Sequence, residues 1–217
     1  MFTPKSMQTN FTFKEKFFAM DYVLVFSILI LGIISMFAMY STAGGTYDYH
    51  TKSHIVRFTI FFLLFFIVSF FNIKFWHRTS TLIYIGCFIL LLGVKYFGLT
   101  SSGSQRWINF YFMNLQPSEL MKVGLILFLA KYYGRISTYD VNRVKYLFLP
   151  IISLVAPVLL VVTQPDLGTS ILIAAGGAGV IWLAGVRIKF FAYLAIIFIS
   201  VLPVAISFLK PYQKARI

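Results

Sequence analysis

Residues 146–185 read YLFLPIISLVAPVLLVVTQPDLGTSILIAAGGAGVIWLAG, and Asp166 is the one charged side chain among them. The stretch divides at Gln164-Pro165-Asp166 into two apolar runs, Tyr146 to about Thr163 and Gly168 to Gly185. Each is close to the length at which a helix crosses the hydrocarbon of a bilayer. A helix of a soluble protein keeps a polar stripe along one side, and these runs carry almost none. Working outward, the same pattern recurs at 22–40, 55–71, 81–99, 117–133 and 190–209. Hydrophobic residues make up 59% of the 217 and charged ones 12%, against roughly half and a quarter in soluble domains. The expected fold is all-α: a polytopic integral membrane protein of seven transmembrane helices, forming a single membrane domain over residues 1–217.

Seven spans place the two ends on opposite sides, and the basic residues choose the hand. With the N-terminus in the cytoplasm, the inner segments hold Lys5, Lys14, Lys16, Lys74, Arg78, Lys131, Arg135, Arg143, Lys145, Arg187 and Lys189, eleven of the nineteen. Short inner loops are where the positive-inside rule applies. The net charge of +13 is therefore read as topology and contact with anionic lipid. Nucleic acid is not the expected partner, because no basic stripe interleaved with exposed aromatics stands outside these loops.

Several features receive structural readings. Cys87 lies inside an apolar run, with no second cysteine to pair with, and reads as packing. His50 and His54 are four apart, yet no acidic or cysteine partner completes a metal set. The polar arm before Tyr22 is long and no small-residue cleavage site follows the first run, so a removable signal peptide is not expected. Gly44-Gly45 marks a turn between the first two spans. The run Ala174–Gly179 reads as a small-residue face for close helix packing.

Of the six acidic residues, Glu15 and Asp21 precede the first span, and Asp48 and Asp140 lie in loops. Glu119 and Asp166 stand at the mouths of apolar helices, where an ionised carboxylate is costly unless paired or wet. Their contexts echo each other: Gln116-Pro117-Ser118-Glu119 and Gln164-Pro165-Asp166. Proline suits the first turn of each following helix, and the acid then meets the positive end of the helix dipole. Each motif alone reads equally as a well-formed helix start. With the N-terminus inside, both helices begin on the outer side. Lys122 shares a helix face with Glu119, and Arg106 belongs to the polar stretch 100–116 leading into the same helix. Two cations and two carboxylates are thus expected to converge on one outer pocket. Such a pocket would suit a phosphorylated lipid headgroup, with Arg106 as a paired donor and Lys122 as a point charge. A salt-bridge cluster that only fixes helix packing is the alternative.

Gly103-Ser104-Gln105-Arg106-Trp107-Ile108, Gln116-Pro117-Ser118-Glu119-Leu120-Met121-Lys122 and Gln164-Pro165-Asp166-Leu167-Gly168-Thr169 together resemble the signatures of the SEDS family, whose main members are RodA and FtsW. Leu167 after the aspartate looks more like RodA. The resemblance implies a peptidoglycan glycosyltransferase of the bacterial cytoplasmic (inner) membrane. It would polymerise lipid II, the undecaprenyl-diphosphate-linked precursor, for elongation and rod shape. A class B penicillin-binding protein is the implied partner. The residues matching the family's cavity are Arg106, Glu119, Lys122 and Asp166, with Gln116, Pro117, Gln164 and Pro165 shaping it. A carboxylate would serve as general base toward the acceptor hydroxyl. Cationic groups or a divalent metal would stabilise the departing diphosphate. The family's catalytic aspartate lies in a large outer loop that would begin where this chain ends, at Lys210–Ile217. No catalytic residue is assigned, and a polypeptide ending at Ile217 is expected not to polymerise lipid II alone. A lipid-linked precursor transporter, or a non-catalytic scaffold of the cell-wall machinery, are the other readings.

Overall fold

In the computed structural model, residues 12–101, 104–110 and 113–193 are described. They fall into two compact units divided after Trp76. The expected seventh span lies beyond them, apart from the helix that opens at Ile188 and is described to Tyr193.

The first unit holds α1 (Phe13–Phe18), α2 (Tyr22–Thr42) and α3 (Tyr49–Ser69). The polar arm before Tyr22 carries a short helix, α1. α1 forms because Thr12 and Glu15 make a reciprocal capping box, which satisfies two otherwise unpaired N–H groups. Asp21 and Asp48 cap α2 and α3 by accepting from the N–H groups of Leu24 and Thr51, at 3.2 and 2.8 Å. The Thr51 N–H bond holds the Asp48 carboxyl below its ordinary value of 3.8. The intervening turn needs its glycines, since Gly44 and Gly45 stand at φ 68° and 78°. α3 starts six residues before the apolar run at Ile55, because the Asp48 cap admits the polar residues Tyr49–His54 to its first turns.

α2 and α3 meet at Gly32, where a Cβ would overlap the ring of Phe58. Ser35 Oγ and His54 Nε2 share a hydrogen bond of 2.7 Å beside that contact, so His54 serves helix pairing. Lys16 Nζ donates to the Phe70 carbonyl at 2.7 Å, placing a cation at the negative end of α3. The remaining faces carry exposed Leu31, Phe37 and Leu63, as lipid-facing helices do.

The division between units falls inside α4 (Ile73–Phe97). The second unit continues with β1 (Leu99–Ser101), β2 (Ser104–Phe110), β3 (Met113–Leu115), α5 (Pro117–Tyr133), α6 (Val144–Thr163) and α7 (Leu167–Leu183). The strands form a small antiparallel sheet, in the order β1-β2-β3, within the stretch expected to be loop. The protein remains a helical polytopic membrane protein, with this ribbon added. Among the described residues, four helices are long and apolar enough to cross a membrane: 22–42, 49–69, 73–94 and 144–163; α7 is a shorter apolar helix.

α5, α6 and α7 pack around Met121, Leu125, Leu129, Val161 and Ile173, with Leu91 and Cys87 of α4 in the same cluster. Cys87 is buried, in keeping with its packing role. Gly177 makes the close approach possible: a Cβ there would stand 2.5 Å from Leu154 Cδ1 and 3.0 Å from Leu125 Cδ2. α6 contains Pro150 and Pro157, each of which leaves the carbonyl four residues earlier without its helical donor. Those carbonyls belong to Tyr146 and Ser153. The Tyr132 hydroxyl donates to the first at 3.1 Å and the Tyr84 hydroxyl to the second at 2.9 Å. Neighbouring helices thus restore the bonds the prolines remove, as an apolar surrounding requires.

Candidate functional site

Two helix starts meet at one end of the second unit. α5 opens with Gln116 as N-cap, Pro117 as its first residue and Glu119 in its first turn. Pro117 fits there because its missing N–H would have lacked a helical partner anyway. Gln116 makes no side-chain bond to its own helix. Its amide Nε2 instead donates to Asp166 Oδ2 at 3.0 Å, across fifty positions of sequence.

The second Gln-Pro motif is built differently, and the parallel drawn from sequence fails in detail. Pro165 is not in the first turn of α7. Asp166 is itself the N-cap, and the helix starts at Leu167. An aspartate accepts from the first-turn N–H groups, so it takes the cap and leaves the proline outside. Pro165 stands in the preceding turn at φ 26°, far from the value of about −65° that its ring favours. Gln164 ends α6 and points elsewhere, its amide donating to the Leu91 carbonyl at 3.1 Å. Its role is to join α6 to α4.

Asp166 is 7% exposed, and both of its oxygens are engaged. Oδ1 accepts from the Thr169 N–H at 3.3 Å and faces Arg106 Nη1 at 3.6 Å. Oδ2 accepts from the Thr169 hydroxyl at 2.8 Å and from Gln116. A carboxylate offers about four lone-pair positions; three hydrogen bonds occupy three of them, and the guanidinium adds a charge contact longer than a hydrogen bond. Arg106 reaches it from β2 through an irregularity in the ribbon. Thr100 pairs with Gln105 and Leu99 with Trp107, which leaves Arg106 as an extra residue without a counterpart on β1. A bulge of this kind re-aims a side chain.

Glu119 and Lys122 form the other pair, 2.8 Å apart on one face of α5. Their side chains keep 53% and 26% of their surface exposed. The structure therefore brings Arg106 and Gln116 to Asp166, and Lys122 to Glu119, as two distinct pairings beside the start of α5. Among the described residues no group of three His, Cys, Asp or Glu gathers to hold a metal. Thr169 was not singled out as a site residue from sequence. The signal was the spacing Asp-x-x-Thr, an N-cap with a hydroxyl three residues on. Nothing in the sequence marks the bulge.

Comparison with known proteins places these features in a wider set. The family model FTSW_RODA_SPOVE, described as cell cycle protein, matches residues 15–217. The chain is 29% identical, over 99% of its length and 55% of the relative's, to a probable peptidoglycan glycosyltransferase FtsW of Buchnera aphidicola subsp. Acyrthosiphon pisum. It is 36% identical to the peptidoglycan glycosyltransferase MrdB of Escherichia coli K12, over 62% of this chain and 36% of that one. The chain thus spans about half the length, or less, of these curated relatives. Among solved structures, the rod shape determining protein RodA of Thermus thermophilus aligns with a TM-score of 0.69 at 26% identity, covering 82% of this chain and 60% of that one. A structure described as the coordination of polymerization and crosslinking by a peptidoglycan synthase complex aligns with a TM-score of 0.74 at 27% identity, covering 91% and 58%.

Proposed function

The chain belongs to the FtsW/RodA/SpoVE family of cell cycle proteins, and on that premise we propose that it supplies the substrate-holding part of a peptidoglycan glycosyltransferase. The observation that carries this reading is the junction of the α5 and α7 starts. A nearly buried Asp166 holds Arg106 there, and the exposed Glu119–Lys122 pair stands on the first turns of α5. The ligand is lipid II, with its diphosphate against Lys122 and Arg106 and its undecaprenyl chain in the bilayer. Two cations offset the phosphate charge, and a guanidinium adds directional hydrogen bonds. In the transfer, an acceptor sugar hydroxyl attacks the anomeric carbon, loses its proton to a base and expels the lipid diphosphate. Cations already in place stabilise the charge that develops on that leaving group. Asp166 is poorly placed to be that base, being 7% exposed and already accepting three hydrogen bonds.

The same reading sets the N-terminus in the cytoplasm and the junction at the outer face of the bacterial cytoplasmic membrane. A class B penicillin-binding protein is the cross-linking partner. The related synthase complex, which couples polymerization to crosslinking, supports that pairing.

Lipid II binding to the purified chain in nanodiscs tests the reading. Native mass spectrometry should show lipid II retained in preference to phosphatidylglycerol and displaced by undecaprenyl diphosphate. Lys122→Ala should weaken retention by about tenfold, as loss of one charged contact predicts. Equal retention of lipid II and phosphatidylglycerol would reject the assignment.

A further inference from the structure

We infer that Gln116 and Thr169 are positioning residues for the proposed diphosphate site: they fix the plane of the Asp166 carboxylate, and through it the place of Arg106. The inference rests on the function proposed above and adds to it two side chains that need not touch the ligand.

The geometry is specific about the division of work. Oδ2 receives two side-chain donors, Gln116 Nε2 at 3.0 Å and Thr169 Oγ1 at 2.8 Å. Oδ1 is left to the Thr169 N–H and the guanidinium. The plane of a carboxylate turns easily about its last torsion. A single backbone bond to Oδ1 would not stop that turn, whereas two further donors on Oδ2 do. The donors also come from elements that have to stay in register. Gln116 is the N-cap of α5, Thr169 is on α7, and Arg106 is on β2, which packs on α5.

Both residues forgo the ordinary use of their side chains. A helix N-cap usually accepts from its own first turn, and the Gln116 side chain makes no such bond. A threonine inside a helix usually donates to the carbonyl of the preceding turn, as Ser27 and Thr59 do here. Thr169 donates to Asp166 instead. Helix capping alone accounts for the Thr169 N–H bond, but for neither side-chain donor.

Undecaprenyl diphosphate is the probe, measured by native mass spectrometry on the full chain in nanodiscs, with thermal unfolding recorded in parallel. Thr169→Val and Gln116→Leu should each weaken binding by about fivefold, a fraction of what a direct charged contact provides. Thr169→Ser, which keeps the hydroxyl, should bind within about twofold of the unmodified protein. In an Arg106→Ala background, Thr169→Val should add no further loss, since the residue acts through the arginine. Unfolding shifts without any change in affinity would overturn the inference, as would a full additional loss in the Arg106→Ala background. Should Thr169→Val fail to fold, Gln116→Leu at the surface end of α5 carries the same test. Failure of the unmodified protein to bind the diphosphate at all would remove the proposed function and this inference together. Binding that Arg106→Ala weakens but neither Thr169→Val nor Gln116→Leu alters would remove the inference alone.

Discussion

Asp166 and Glu119 are the two acids that an apolar helix start should not tolerate, and the structure resolves that tension in opposite ways. Asp166 is nearly buried, and donors from β2, α5 and α7 converge on it. Glu119 keeps half its side-chain surface and pairs with a lysine three residues away on its own helix. The first is a tertiary junction whose bonds exist only when three elements are assembled. The second is a local pair that an isolated helix could form. Buried charge held by many partners organises structure, whereas exposed charge held by one partner is available to exchange it for a ligand.

Asp166→Ala should break the first arrangement with the largest effect. It removes the α7 cap and leaves Arg106 without its carboxylate, a combined loss of about 2–4 kcal/mol, read as a fall in thermal unfolding temperature in detergent. Asp166→Asn keeps an acceptor for the Thr169 N–H but discards the charge, and should cost about half as much. A result equal to alanine would show that charge, not capping, dominates the junction. Tyr84→Phe and Tyr132→Phe extend the contrast to neutral bonds. Each frees a proline-orphaned carbonyl of α6 and should cost about 1 kcal/mol, with the loss at Tyr84 the greater because its acceptor Ser153 is buried. Glu119→Gln should change stability by no more than about 0.5 kcal/mol while altering lipid II retention several-fold. A stability loss matching that of Asp166→Ala would erase the distinction between the two sites.

The Asp48 cap provides the smallest effect and a pH signature. Its carboxyl is held below the usual value of 3.8, so the support it lends α3 is present above that value. Support is lost as pH falls through the lowered one. The protection factor of the Thr51 amide, its exchange rate relative to the unstructured rate at the same pH, should fall on acidification across that window, and Asp48→Ala should abolish that fall.

Much of this molecule was legible in one dimension. The span 117–133 matches α5, and 146–163 and 168–185 match α6 and α7 within two residues, because a helix in lipid must be apolar on nearly all sides. Gly44-Gly45 turned as expected, since positive φ is costly for any other residue. The ribbon at Leu99–Leu115 was not foreseen, because its strands are three to seven residues long and too short for a periodic signal to stand out. Nor could the two Gln-Pro motifs be told apart. Their local chemistry is the same, and the glutamine side chains are claimed by groups fifty and seventy-three positions away.

Taken alone, the sequence determined the membrane class, most helix bounds and the family of the chain, since these follow from local apolarity and from short motifs that need no neighbours. Tertiary structure decided which carboxylate is spent on architecture and which stays available. That choice depends on the donors other elements bring to within about 3 Å, a distance that sequence separation does not encode.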